Sequence, residues 1–210
     1  MATGKFISFE GGEGSGKSTQ LRRLAATLGA RGIACVTTRE PGGCPGAEEI
    51  RRLLVVGGVG RWRPMSEALL NYAARIEHVA QTIQPALARG EWVLSDRFAD
   101  STMAYQGYGH GLGPEPIARL HQLTLGDLRP DLTLIFDIPV EEGLARARAR
   151  GGNEDRYERM GKAFHERLRA GFLEIARTEP KRCAVIDAIG DVETVADRVV
   201  AEVTARLGVV

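Results

Sequence analysis

The chain has 210 residues, 43% hydrophobic and 26% charged, with 28 basic and 27 acidic side chains and a net charge of +1. That length suits one α/β domain with a real core, and so near-neutral a balance argues against bulk-charge binding to nucleic acid or to a membrane surface. No apolar run is long enough to span a bilayer, residues 1–5 lead directly into a strand and predict no signal peptide, and an odd set of cysteines (Cys35, Cys44 and Cys183) without a Cys-x-x-Cys pair fits a reducing, cytoplasmic setting.

In chain order, residues 6–9 read as a short buried strand and residues 19–31 as a helix with Leu21, Leu24, Ala25 and Leu28 on one face. Between them runs Gly11-Gly12-Glu13-Gly14-Ser15-Gly16-Lys17-Ser18, which fits G-x-x-x-x-G-K-[ST] at every fixed position. The strand–loop–helix order gives the motif chemical meaning. Glycines let successive N–H groups turn into one concavity, and the helix N-terminus adds positive charge there. Lys17 is placed to reach the outer phosphates and the Ser18 hydroxyl to ligate Mg²⁺. Thr19 closes the loop.

Further short apolar segments at 34–38, 92–95, 132–136 and 183–186 predict four more strands. Helical patterns lie at 47–55, 65–89, 114–126, 140–150, 155–178 and 192–207. Gly32, Gly90 and Gly126 serve as stops, and Asp191 as the cap of the last helix. Strand alternating with helix predicts a doubly wound, five-stranded parallel sheet with helices on both faces. Its ligands belong at the strand C-terminal edge. No internal repeat or linker divides residues 1–210, which are expected to form a single domain.

The polar clusters fall largely at that edge. Glu13 sits among the loop glycines, awkward beside triphosphate and better suited to accept from a hydroxyl of a second ligand; a solvated loop carboxylate is the other reading. Arg39-Glu40-Pro41-Gly42-Gly43 marks a rigid turn in which Arg39 holds a phosphate or pairs with an acid. Asp96-Arg97 brings a carboxylate able to organise Mg²⁺ through its water shell and a guanidinium able to grip an acceptor phosphate. Downstream, Ser101, Thr102, Tyr105 and Gln106 offer hydrogen-bonding groups on the next helix. Arg75 and Asn71, one helical turn apart, point the same way. From Arg146 to Arg169 there are eight basic and four acidic residues around Gly151-Gly152, which suggests a mobile arginine-bearing lid at about 146–160. The four histidines lack metal-ligand spacing.

With these segments in hand, the chain resembles the nucleoside monophosphate kinases and, more closely, the bacterial thymidylate kinase family. The likeness rests on Phe9-Glu10 with the glycine loop, Thr38-Arg39-Glu40-Pro41-Gly42-Gly43, Ala73-Ala74-Arg75, Ser95-Asp96-Arg97, Ser101-Thr102, Ala104-Tyr105-Gln106-Gly107 and the alternating arginines ending at Arg150. The resemblance implies that Glu13 accepts from the deoxyribose 3′-hydroxyl and that Arg97 binds the thymidylate phosphate. It implies that Arg75 and Thr102 face the base, and that Tyr105 lies where a 2′-hydroxyl would clash. The glycine loop carries no arginine, so the catalytic one is expected in the lid, with Arg148, Arg150 and Arg156 as candidates. It also implies a homodimer, for which the 65–89 helix and the 114–126 region offer faces.

Two positions depart from the family pattern. Asn71 stands where an aromatic usually stacks on thymine, so either the adjacent Tyr72 rotates into that role or the stacking is weaker. Cys44 stands where a threonine usually follows the Pro-Gly-Gly turn. The expected reaction is transfer of the γ-phosphoryl of ATP, with Mg²⁺, to dTMP, by positioning and charge neutralisation without a covalent intermediate. Two other readings use the same residues. A kinase for dUMP or for a nucleoside is one, although a nucleoside would leave Arg97 no phosphate. A nucleotide-binding switch is the other, and the sequence has no Asn-Lys-x-Asp base-reading motif for it.

Overall fold

The computed structural model describes residues 4–150 and 156–208. Five strands, β1 (Phe6–Gly11), β2 (Cys35–Arg39), β3 (Trp92–Asp96), β4 (Leu132–Asp137) and β5 (Cys183–Asp187), form one sheet in the order β2-β3-β1-β4-β5. Every neighbouring pair is parallel. Each strand follows from its residues. Side chains alternate across a strand, so Ile7 and Phe9 of β1 face one side with Leu94, Leu132, Leu134 and Phe136. Helices α1 (Lys17–Ala30) and α9 (Val192–Leu207) cover that side with Leu21, Leu24, Leu28, Val195, Val199 and Val203. Asp191 caps α9 by accepting from the Thr194 N–H at 2.8 Å.

The opposite side mixes apolar and polar groups. Phe6, Val79, Ile83, Val93 and Phe98 fill one part, and Tyr105, Ile135, Phe164, Leu168 and Phe172 another. Ser8 and Glu10 project to this same side and are fully buried. The Ser8 hydroxyl meets the Thr133 hydroxyl at 3.0 Å, which satisfies both. This polar seam is where the sheet faces the helices that build the cleft.

The remaining helices are α2 (Pro45–Val55), α3 (Pro64–His78), α4 (Gln84–Ala88), α5 (Ala99–Thr102), α6 (Pro114–Leu125), α7 (Val140–Arg150) and α8 (Lys162–Thr178). The expected single run over 65–89 is interrupted by a wider π turn at Val79–Ile83. Pro85 supplies the reason, since it has no N–H to continue the ladder and its ring crowds the preceding turn. A second π segment, Met103–Gly109, extends α5 and carries Tyr105 and Gln106. The helix expected to begin at Asp155 begins at Lys162, and residues 156–160 are turns. No helix among the described residues is long and apolar enough to cross a membrane.

The glycine loop is pressed against α7. Gly14 has φ 67°, and a Cβ there would lie 2.0 Å from the Gly143 carbonyl oxygen. Reciprocally, a Cβ on Gly143 would lie 2.6 Å from the Glu13 carbonyl oxygen. Replacing a helical glycine by alanine ordinarily stabilises by about 1 kcal/mol. Here the obstacle is backbone, so Gly143→Ala is expected to destabilise by about 1–3 kcal/mol. Urea unfolding should show a lowered midpoint with an unchanged slope; a midpoint at or above that of the parent protein would mean that α7 stands off the loop.

Candidate active site

One cleft of about 570 Å³ opens at the C-terminal edge of β1, β2 and β3. The loop from Glu13 to Thr19 forms one end of it, and Arg39, Asn71, Arg75, Asp96, Arg97, Thr102, Tyr105 and Gln106 line the rest. Most of the residues singled out in the sequence therefore meet in one place. Lys17, nearly buried, donates to the Gly11 and Gly12 carbonyls at 3.1 and 2.7 Å and to the Ser15 hydroxyl at 3.2 Å. Burial, followed by the charge on Arg97, lowers its ammonium to about 8, against the pull of Asp96 and Glu13. The Ser18 hydroxyl donates to the Asp96 carboxylate. Parallel pairing of β1 with β3 puts Asp96 beside Phe9, one strand from the loop's root.

Arg97 is the residue on which the cleft turns. It has φ 75°, a left-handed conformation that no other non-glycine among the described residues adopts. That conformation turns its side chain back across β1. The guanidinium donates to the Gly11 carbonyl at 3.0 Å, to the Ser101 hydroxyl at 3.1 Å and to the Glu13 carboxylate at 3.1 Å. It also lies 4.9 Å from the centre of the Tyr105 ring. The Tyr105 hydroxyl donates to the same Glu13 oxygen at 2.6 Å. Burial alone would raise the Glu13 carboxyl, but Arg97, Lys17 and the Tyr105 phenol outweigh it and hold the group at about 2. Glu13 is therefore an ionised acceptor facing the cleft beside a guanidinium. Glu10 fixes the backbone behind it, accepting from the Phe98 N–H at 2.7 Å and the Ser101 hydroxyl at 2.5 Å. Burial and the neighbouring Asp100 push the Glu10 carboxyl up, while these donors and Arg97 pull it back.

A second arginine lines the far end. Arg75, on α3, donates to Glu40 at 2.6 Å, to the Phe98 carbonyl at 3.1 Å and to the Thr102 hydroxyl at 3.0 Å. Its remaining nitrogen, Nη1, is buried and has no acceptor in the protein. Glu40 also meets His78 Nδ1 at 2.9 Å, and His78 Nε2 meets Thr38 at 2.7 Å. This histidine is thus satisfied within the fold. Asn71 lines the cleft, its amide donating to the Glu67 carbonyl at 2.9 Å. Tyr72 does not replace it. Tyr72 is buried between Ala68 and Ile117, with its ring edge-on to His121 and the Arg75 guanidinium 4.6 Å from its ring centre. The one-residue step of about 100° along a helix turns it away from Asn71, so that its ring backs the Arg75 guanidinium without lining the cleft. Arg39 pairs with Glu48 at 3.1 Å, and Cys44 is buried against Ala47 and Ala74.

The three candidate lid arginines separate. Arg148 stands exposed on α7. The Arg150 side chain and residues 151–155, with Asp155, lie outside the described residues. Arg156 departs from the expectation: it is fully buried and turned away from the cleft, onto Glu67 and the backbone that follows α2. Each of its three guanidinium nitrogens has a protein acceptor.

Four contributors escaped the sequence reading as site residues: Glu10, Glu67, Gly143 and Tyr157. The first three left a trace. Glu10 is an acid at an inward position of an apolar strand, where a carboxyl group is tolerated only when hydrogen-bonded. Gly143 breaks a helical pattern, a sign of close backbone approach. Glu67 lies one turn before Asn71 on the same helix face, but nothing local names its partners. Tyr157 carries no local signal beyond its place next to Arg156.

A family model described as "Thymidylate kinase" matches residues 9–199. The thymidylate kinase of Caulobacter vibrioides is 58% identical over 208 residues, spanning 99% of this chain and 100% of that protein. That of Rhodopseudomonas palustris strain TIE-1 is 54% identical, spanning 97% of this chain and 90% of that protein. The crystal structure of thymidylate kinase from Ehrlichia chaffeensis superposes with a TM-score of 0.78 at 37% identity, covering 96% of this chain and 99% of that one. The agreement of cleft, sheet order and near-full-length likeness means that the chain belongs to the thymidylate kinase family.

Proposed function

We propose that residues 1–210 act as one kinase domain that transfers the γ-phosphoryl of ATP to the 5′-phosphate of dTMP, giving dTDP and ADP. The observation that carries this reading is the reach of Arg97 across β1. Its guanidinium lies on the root of the glycine loop and on Glu13 at once, so an acceptor phosphate held there faces a donor phosphate held by the loop. Gly11, Gly12, Gly14, Ser15, Gly16, Lys17, Ser18 and Thr19 take the ATP phosphates. Glu13, ionised, accepts from the 3′-hydroxyl, and Tyr105 packs beside the sugar. The uncommitted Nη1 of Arg75 donates to the base, with Thr102 and Gln106 alongside. Asn71 offers an amide in place of a stacking ring, so thymine is held more by hydrogen bonds than by stacking.

The Ser18 hydroxyl and the Asp96 carboxylate form an oxygen-only pair, the donor set of a hard cation that keeps waters and phosphate oxygens as its other ligands. Mg²⁺ held there would neutralise charge on the donor phosphates. The chain's own part is to align the two phosphates, exclude water and set Lys17 and Arg97 against the developing charge. The acceptor phosphate is already anionic near neutral pH, so no strong general base is required. Arg148 and Arg150 remain the candidates for a lid cation closing on the transferring group. A homodimer would cover the exposed apolar side chains Leu69 and Ile76 of α3 and Leu123 of α6. The three unbonded cysteines suit a cytoplasmic location.

Two measurements test the assignment. In a coupled ADP-release assay across the common monophosphates, dTMP should be preferred, and Arg97→Ala should lower turnover on dTMP by about 10²–10³-fold with an unchanged circular dichroism spectrum. Equal rates on all monophosphates, or normal turnover by the variant, would overturn it. Glu13→Gln should lower kcat/KM for dTMP by about 10- to 100-fold, the worth of a hydrogen bond to a charged group. On 3′-deoxy-dTMP the same variant should match the parent enzyme within about threefold; an equal loss on both substrates would detach Glu13 from the 3′-hydroxyl.

A further inference from the structure

We propose that Arg156 and Glu67 form a buried latch that positions the dTMP half of the cleft, and that Arg156 acts through this latch and not on the transferring phosphoryl. The inference rests on the kinase reading above. Arg156 is 0% exposed and Glu67 1% exposed. Charges so buried persist only when paired and hydrogen-bonded, and here every guanidinium nitrogen has a protein acceptor. Arg156 Nε donates to the Gly58 carbonyl at 3.1 Å and Nη1 to the Leu54 carbonyl at 3.0 Å. Its Nη2 donates to the Val59 carbonyl at 3.1 Å and to the Glu67 carboxylate. Leu54 lies in the last turn of α2, where carbonyls have no intrahelical partner and the helix dipole favours a cation. The guanidinium thus closes the end of α2, clasps the loop behind it and ties both to α3.

Glu67 distributes that anchorage into the cleft. The same carboxylate accepts from the Tyr157 hydroxyl at 2.9 Å and from the Gln106 amide at 2.7 Å. Burial would raise it, but His110, Arg156 and Gln106 hold it below its ordinary value. Tyr157 packs edge-on against Tyr105 with ring centres 5.1 Å apart, and Tyr105 in turn donates to Glu13. Gln106 and Tyr157 both line the cleft, as does Asn71, whose amide donates to the Glu67 backbone carbonyl. The carboxylate of this one ion pair therefore holds two cleft-lining groups, Gln106 and Tyr157, both on the acceptor side. Among the described residues its link to the glycine loop runs through Tyr105, which donates to Glu13.

The arrangement predicts a split between substrates. Arg156→Met and Glu67→Gln should each raise KM for dTMP by about tenfold or more, leave KM for ATP within about twofold and keep kcat within about threefold, the pattern of lost acceptor binding. Because the two residues form one unit, the double variant should be little worse than the poorer single one. Arg156→Met leaves a buried carboxylate unpaired; should it fail to fold, Glu67→Gln alone carries the test through the same KM comparison. Turnover lowered by about two orders of magnitude, with KM for dTMP unchanged, would make Arg156 a cation of the chemical step and overturn the proposal. A lowered melting temperature with both KM values unchanged would reduce the pair to structural support and overturn it equally. Absence of dTMP turnover in the parent enzyme would overturn the kinase reading and this inference with it.

Discussion

The site depends on one backbone constraint, the left-handed turn at Arg97. An arginine in that conformation costs of order 1–3 kcal/mol, and the surroundings over-determine it. The Arg97 N–H donates to the Phe9 carbonyl at 3.0 Å, and the Ser95 hydroxyl donates to the Arg97 carbonyl at 2.7 Å. On the next residue, the Phe98 N–H is held by Glu10. The central strand thus ends in an acid whose work is to fix the neighbouring strand's exit. Were the turn to relax, the guanidinium would leave Gly11 and Glu13, and the two halves of the cleft would lose the group they share.

Charges are arranged around that turn in alternation. Lys17, Arg97 and Arg75 run along the cleft, each with an acid of its own nearby: Asp96, Glu13 and Glu40. The pairing keeps the cations in place without spending all their donors, since Arg75 retains a free nitrogen. Such an array is suited to reactions in which little covalent chemistry falls to the protein and most of the rate comes from alignment and charge stabilisation. The arginines Arg75 and Arg156 show two uses of one side chain. The first is buried with a donor to spare beside the cleft, the second is buried with its donors engaged behind it.

Much of this was legible in the sequence because it depends on local pattern. All five strands and the glycine loop follow from apolar runs, turn residues and fixed spacing, and the strand ends differ by a residue or two from expectation. Arg97 was legible as a candidate ligand group because a charged residue at a strand end in this architecture has few other duties, whereas Glu13 stood between two readings and Arg75, in a helix, drew its role from the family resemblance. What was not legible is long-range. Arg156 and Glu67 are 89 positions apart, and an arginine beside other arginines reads as one more solvated or lid cation until its partner is known. Tyr72 and Asn71 are adjacent in sequence, yet helix rotation puts one in the core and the other in the cleft. The π turns at 79–83 and 103–109 arise from the demands of Pro85 and of packing, which periodicity alone does not encode.

The central claim is that the Arg97 guanidinium, held by its turn, is the point at which the two nucleotides meet. It is tested most directly by a crystal structure with dTMP, a non-hydrolysable ATP analogue and Mg²⁺ bound together. The account predicts the dTMP phosphate within hydrogen-bonding distance of Arg97, facing a terminal phosphate held by the loop from Gly11 to Ser18. A dTMP phosphate seated away from Arg97, with that side chain still committed to Gly11 and Glu13, would contradict it.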